Sequence, residues 1–562
     1  MTEIEERADQ LSLNDIDSTL ADGDIFKSAR KKLLDKGAKF LVGPRGTGKT
    51  HVMRYTYFHA LKNKSAPLPF YASFNRYLNL EPLLKKSPDA LKKFHSWVVA
   101  KLLISAFECI DDLGEDKFQL TNLDPMYQEG KLKELVSLLE RGSGEKSYED
   151  FGQFLTVDHA LRAVKFLTQE FSRTRAVLLL DDAALSLSDQ YLVSFFEIFR
   201  LLKDEKVSPK ASVYPGTTQY GPTFHASHEV ESISLWLSVE DAEYLSIMGD
   251  IADRRLTTEE MGRINPEVLT LFKYISFGMP RVFLRLLREY FQDPKSGGSQ
   301  QKINKIIENQ TDLIGVEYDS LGIKLKQFSS LIVAGRKFFD GVVGDVSKTQ
   351  RADLSTRNII LGLQKNDERT PLTERMLRFL VEIGMLFPLG NVSHGPNRKY
   401  DRYIPHLAFL YQHGAFREGR GSPLNGLATV MGCAASKQPV RRALGTVLSS
   451  SELHNLKLDL PPCQNCGAQR LNDSQKFCHE CGEELVASSL FEECMKLPLD
   501  QVPGVSRALI ARIEATTPLR TIAHVYASQD ASGELQQAKY VGAVRAEGII
   551  KSIAFTVQEF LS

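Results

Sequence analysis

Between about residues 23 and 225, short apolar runs alternate with longer stretches whose apolar positions recur every three to four residues. That alternation predicts an α/β fold. Phe40-Leu41-Val42 reads as a short buried strand, followed by a helix from His51 to Lys62. Leu68 to Phe74 reads as a second strand, and a long helical insertion follows that includes Leu91 to Ile110. A helix around Val157 to Phe171 leads into the unbroken apolar strand Arg175 to Leu180. Ser188 or Asp189 then caps a helix with Leu192, Phe195, Phe199 and Leu202 on one face, before a strand at Lys210 to Tyr214.

From Ser238 to Tyr290 the pattern is helical throughout, with Gly278-Met-Pro-Arg281 opening one helix and Pro280 suited to its first turn. Residues 300–415 read as mainly helical, closing with a helix capped by Thr373 and a hairpin. That helix carries Met376, Leu377, Leu380 and Ile383. The expected boundaries are a loose acidic segment at 1–22, a core at 23–237, a helical lid at 238–297 and a helix–hairpin domain at 298–415. A partly structured basic linker at 416–460, a cysteine-bearing segment at 461–486 and a small helical tail at 490–562 complete the chain.

A chain of 562 residues is too long for one core. Its 43% hydrophobic and 25% charged residues are ordinary for a soluble protein. Net charge is zero, so attraction to a polyanion must come from local patches. Residues 1–25 carry eight acids against Arg7 alone, whereas 391–450 carry eight Lys/Arg against Asp401 and Glu418. No run approaches the roughly 20 apolar residues of a membrane span, and the acidic start does not resemble a signal peptide. Seven cysteines, four in a metal-like pattern, fit a reducing compartment. The expected location is the cytoplasm, without membrane contact.

The strongest local chemistry is Gly43-Pro44-Arg45-Gly46-Thr47-Gly48-Lys49-Thr50, a phosphate loop between a strand and a helix. The glycines let backbone N–H groups approach an anion, Lys49 would reach the outer phosphates, and the Thr50 hydroxyl would ligate Mg²⁺. Asp181 and Asp182 end an apolar strand, where Asp181 would hold Mg²⁺ through its water shell and Asp182 would polarise the attacking water.

Four motifs carry a family resemblance: Gly43 to Thr50, Asp181-Asp182, Pro215-Gly-Thr-Thr-Gln-Tyr220 and Gly278-Met-Pro-Arg281. They resemble Walker A, Walker B, sensor 1 and sensor 2 of AAA+ ATPases of the origin-recognition-complex-like group, which overlaps the STAND ATPases. The resemblance spans about residues 23–295. It implies an α/β P-loop core with a helical lid, ATP and Mg²⁺ as cofactors, and Thr218 and Arg281 as sensors of the terminal phosphate. It also implies a nucleotide at a subunit interface, hence ATP-dependent homo-oligomers and partner proteins. Asp181-Asp182 departs from the usual Asp-Glu, and the shorter second acid predicts slow hydrolysis. The resemblance identifies no arginine finger; Arg254 and Arg255 have only their position in the lid to favour them.

The helix followed by the basic loop His394-Gly-Pro-Asn-Arg398-Lys399-Tyr400 resembles a winged helix, with Arg398, Lys399 and Arg402 available to DNA phosphates or the whole unit free to dock a protein. Cys463-Gln-Asn-Cys466 and Cys478-His-Glu-Cys481, eleven residues apart, predict a structural zinc ribbon with four thiolates and no open position. Such ribbons bind nucleic acid or protein. In the tail, Val502-Pro-Gly504-Val-Ser-Arg507-Ala and Tyr540-Val-Gly542-Ala-Val-Arg545-Ala repeat at a spacing of 38 residues. They resemble tandem helix-hairpin-helix units, in which Gly504, Arg507, Gly542 and Arg545 would meet the DNA backbone; a protein-docking module is the alternative. The sequence thus predicts a multidomain AAA+ ATPase coupling nucleotide state to DNA binding. The alternative is a STAND-like ATP-gated switch working through protein contacts, in phage defence or mobile-element control.

Overall fold

A computed structural model describes the chain from residue 8 to 561, apart from 9–10, 12, 75–79, 81–88, 117, 142–144, 183–188, 216–223, 225, 293–299, 326–327, 367, 396–397, 420–423, 437–439, 458–462, 464, 469–474, 476, 484, 486–494, 503–504 and 529. Strands β1 (Lys39–Val42), β2 (Leu68–Ser73), β3 (Ala176–Asp181), β4 (Val207–Val213) and β5 (Glu231–Ser234) form a parallel sheet in the order β2-β3-β4-β1-β5. Every residue of β3 and β4 is buried. Helices Asp24–Leu34, Lys49–Lys62, Ala90–Leu113 and Val157–Glu170 pack on the sheet, which explains the continuous apolar text of β3. Strand β5 has no apolar run to announce it: only Ile233 is buried in its Glu-Ser-Ile-Ser. It is pinned beside β1 by the ion pair of Lys39 with Glu231.

The register aligns Val42 with Val213 and Ser73 with Asp181. The C-terminal ends of β1, β2, β3 and β4 therefore open at one edge, with β4 between the phosphate-loop strand and the acidic strand.

The N-terminal segment is not loose where it is described. Helix Leu13–Thr19 packs on helix Lys49–Lys62 and on lid helix Tyr244–Arg255, with Leu11, Ile16 and Leu20 buried. His51 Nε2 lies 3.1 Å from the Ile16 carbonyl, and the Asp22 N–H donates to Asp250 at 2.6 Å. The lid continues through Pro266–Ile275, capped by Asn265, to Pro280–Gln292.

A second sheet is built from β6 (Leu361–Gln364), the antiparallel hairpin β7 (Leu386–Ser393) and β8 (Lys399–Pro405), and β9 (Val440–Arg442), in the order β7-β8-β6-β9. The helix between β6 and β7, Pro371–Glu382, is capped by Thr370 rather than Thr373. Pro371 takes the first helical position, so Thr373 falls at the third and completes a capping box. The stretch expected as a linker holds more structure than that. Helix Leu424–Met431 and β9 lie inside it, and Leu427, Met431, Leu444 and Leu448 are buried.

One hydrophobic core runs from Leu20 to Leu448, joining both sheets and the lid. Trp236 and Phe387 meet edge-on at 4.6 Å across this junction, and Arg357 pairs with Glu240 at 3.0 Å. The tail has its own core, from Met495 to Ile553, and the cysteine segment a third, of Cys463, Cys478 and Leu485. Among the described residues no helix is long and apolar enough to cross a membrane.

Candidate functional site

The phosphate loop leaves β1 and enters helix Lys49–Lys62 through two left-handed glycines, Gly46 at φ 82° and Gly48 at φ 90°. Lys49 Nζ is buried and donates to the carbonyls of Gly43 at 2.6 Å and Pro44 at 3.0 Å, with the Tyr214 ring 4.1 Å away. Burial pulls its pKa down to about 7 against the opposing pull of Asp182 and Asp181. A buried ammonium so poorly compensated is electrostatically prepared for an added anion. Thr50 follows in the first helical turn.

Asp181 is gripped from both sides. The Tyr71 hydroxyl on β2 donates to one oxygen at 2.9 Å, and the Ser212 hydroxyl on β4 to the other at 2.8 Å. The oxygen facing Tyr71 keeps a lone pair for a hydrated cation, whereas the one facing Ser212 also accepts from the Asp182 N–H at 3.0 Å. Burial first, and then Asp181, pushes the Tyr71 phenol well above its ordinary range, so it stays a donor. The Asp182 N–H donates to Ser212 Oγ at 2.8 Å, and Asp182 itself is left-handed at φ 52°. Asp tolerates that backbone better than Glu does, which gives a local reason for the shorter acid.

Arg281 sits against the loop: its N–H donates to the Gly46 carbonyl at 3.2 Å. A Cβ on Gly46 would fall 2.9 Å from the Arg281 Cβ. The turn that places Arg281 depends on Gly278, at φ 75°, where a Cβ would lie 2.0 Å from the Leu237 carbonyl oxygen. Gly43 to Thr50, Asp181, Asp182 and Arg281 therefore share one edge of the sheet. Thr218 lies outside the described residues. Arg254 is engaged with Asp250 at 2.8 Å. Tyr71, Ser212 and Tyr214 belong to this site and were missed, because only strand register brings them there.

The remaining sites are elsewhere. Arg398 and Lys399 are exposed beside the hairpin turn, whereas Arg402 donates to the Leu389 carbonyl at 3.3 Å and braces the hairpin itself. In the tail, Gly542 precedes helix Ala543–Leu561, and the exposed Arg545 donates to the Tyr540 carbonyl at 2.8 Å. Gly504 and the Arg507 side chain lie outside the described residues.

The four sulfurs of Cys463, Cys466, Cys478 and Cys481 lie within 4.8 Å of one another, two of the pairs at 3.5 Å. Tetrahedral ligands about 2.3 Å from zinc would stand about 3.8 Å apart, so the donor set fits that ion. The two knuckles are equivalent. Gly467 N–H donates to the Cys463 carbonyl at 2.9 Å and Gly482 N–H to that of Cys478 at 3.0 Å, both glycines being left-handed. Backbone N–H groups pull the Cys463 and Cys478 thiols down, favouring thiolates.

Residues 5–78, which hold the N-terminal helix, β1, the phosphate loop and β2, match the family model described as ORC-CDC6-like. The phosphate-loop segment is thus similar to the ORC-CDC6-like family. That likeness ends at residue 78 and does not reach Asp181 or anything after it. The ORC1 protein of Aeropyrum pernix, solved in complex with DNA, is 13% identical over 71% of this chain and 93% of its own, at a TM-score of 0.28, too low to carry an argument. No curated protein matches the chain.

Proposed function

We propose that this protein binds ATP with Mg²⁺ at Gly43–Thr50, hydrolyses it slowly, and couples the nucleotide state to DNA binding and assembly with partners. The supporting observation is the convergence of a buried, undercompensated Lys49, the paired acids Asp181 and Asp182, and Arg281 on one sheet edge. Lys49 and Mg²⁺ would neutralise the phosphates, with Thr50 and Asp181 holding the ion; Asp182 orients the water and Arg281 answers to the terminal phosphate. Thr218 is kept as a sensor by its place in the sequence. Zinc at Cys463, Cys466, Cys478 and Cys481 is structural. The helix–hairpin unit is read as a winged helix and the tail as paired helix-hairpin-helix units.

Turnover checks the water-positioning role. Asp182→Asn keeps the left-handed backbone available to Asn, so it should retain ATP binding and lose at least about 90% of hydrolysis, more than 1.4 kcal/mol in barrier. Parental turnover in this variant would move that role to another residue.

DNA binding is expected to be backbone-directed, because Arg398, Lys399, Arg507 and Arg545 offer charge rather than an evident base-reading surface. Affinity should fall with salt at a slope of about −0.9 per phosphate contacted. Replacing Arg398 and Lys399 together by Ala should weaken binding to all sequences alike and flatten the slope by about one to two units. A parent that fails to bind duplex DNA at low salt would transfer these surfaces to protein docking and favour the ATP-gated switch.

A further inference from the structure

The two tail hairpins repeat at a spacing of 38 residues but present different surfaces. Val502 of the first copy is 3% exposed, whereas its counterpart Tyr540 in the second is 67% exposed. Val544, the counterpart of Ser506, is 88% exposed. The second copy thus shows two outward apolar groups where the first has a core side chain and a polar one. On either side of Lys539-Tyr540, Ala538 and Val541 stay buried in the tail's core, so the ring is turned outward by its neighbours.

Tyr540 also takes a left-handed backbone, at φ 72°, which a bulky side chain adopts only under strain. The Arg545 guanidinium braces that turn by donating to the Tyr540 carbonyl at 2.8 Å. Lys539 Nζ lies 5.3 Å from the ring centre. The Arg512 guanidinium lies 5.4 Å from it and comes from helix Arg507–Thr516 of the first copy, so the ring stands where the two copies meet. None of these three cations has an ion pair among the described residues. Of the acids close in sequence, Glu547 is paired with Lys551 at 3.1 Å and Glu534 accepts from the Ser528 hydroxyl at 2.9 Å.

An exposed ring amid uncompensated positive charge suits a ligand that is flat and apolar on its faces and flanked by negative charge. We propose that Tyr540 is a stacking platform for an unpaired base of single-stranded DNA, with Arg512, Lys539 and Arg545 on the adjoining phosphates. Inside a duplex both faces of a base are already covered by its neighbours, so the ring has nothing to stack on there. Stacking of this kind holds any base without reading it. Lysine is depleted from the cores of protein interfaces, which argues against a docked protein as the occupant. This inference rests on DNA binding by the tail as proposed above, and adds the form of DNA that it takes.

The test uses the full-length parent, Tyr540→Asn, which removes the ring and tolerates the left-handed backbone, and Tyr540→Phe, which keeps the ring. Fluorescence anisotropy gives dissociation constants for a mixed-sequence single strand, an abasic strand with the same number of phosphates, and a blunt duplex, all at one low salt concentration. Tyr540→Asn should bind the single strand at least about fivefold more weakly than the parent, and Tyr540→Phe within about twofold of it. The abasic strand and the duplex should bind the parent and Tyr540→Asn alike. The salt slope on the single strand should be the same in the parent and Tyr540→Asn, since no phosphate contact is lost. Replacing Arg512 and Lys539 together by Ala should flatten it, at about 0.7 per phosphate contact removed. Single-strand affinity of Tyr540→Asn within about twofold of the parent overturns the proposal. So does an abasic strand or duplex weakened as much as the normal strand, because the ring would then serve something other than a base. If the parent binds none of the three DNAs, the DNA-binding reading fails first and takes this inference with it. Duplex binding that survives beside an idle ring sinks this inference alone.

Discussion

Lys49→Ala will abolish ATP binding while leaving the chain folded. The ammonium is buried among carbonyls of its own loop, and burial has already pulled its pKa to about 7. In the free protein it is an expensive charge, so its loss harms stability little. The Gly43 carbonyl loses the lysine's hydrogen bond, which is worth about 1–3 kcal/mol, while the Pro44 carbonyl keeps that of the Thr47 hydroxyl at 3.0 Å. A triphosphate entering the same space loses the loop's lysine and keeps uncompensated charge. Affinity should fall at least about 100-fold, or roughly 2.7 kcal/mol. Calorimetric titration with Mg·ATP measures it, and a melting curve within a few degrees of the parent shows that the fold survived. ATP binding at parental strength would remove Gly43–Thr50 from the nucleotide site.

Removing the metal from the cysteine cluster should have the second large effect, confined to its own segment. The cluster's core consists of Cys463, Cys478 and Leu485, far too little apolar surface to hold a fold. Zinc bound by four thiolates supplies folding free energy on the order of 10–16 kcal/mol in small domains of this kind. Freshly purified protein should contain one zinc per chain. Cys478→Ser, or prolonged chelation, should open residues 463–485 to protease while ATP binding is unchanged. Well under one equivalent of metal, or a protease-resistant Cys478→Ser segment, would refute the assignment.

What could be read in the sequence is what local backbone geometry dictates. The phosphate loop needs glycines at fixed spacing between a strand and a helix, and the two cysteine knuckles need Gly467 and Gly482 at matching offsets. These requirements sit within a few residues and are written in residue type. Register is written elsewhere. Tyr71 and Ser212 reach Asp181 only because β2 and β4 flank β3, and no pattern within either strand announces it. Strand β5 hid because one buried residue in four makes no run. The N-terminal helix hid because its acids dominate the text while Leu11, Ile16 and Leu20 do the packing. Leu427, Met431, Leu444 and Leu448 are scattered among Gly and Ser, which concealed their place in the core. Thr370 was legible: a threonine followed by proline is a helix start, and the cap belonged there.

The division of the molecule into one core from Leu20 to Leu448 and a separate one from Met495 to Ile553 has a thermodynamic consequence. Heat should disrupt the chain in independent cooperative blocks, so no single melting temperature describes it. Free energy gained from ATP at Gly43–Thr50 spreads by mass action over every residue of the larger block, including the distant β9, and raises its transition with nucleotide concentration. The tail touches the larger block where helix Ala543–Leu561 packs on helix Gln300–Lys324, so only a part of that gain reaches it. Its own transition should move less under nucleotide than that of the larger block, and most with ligands that grip the tail itself.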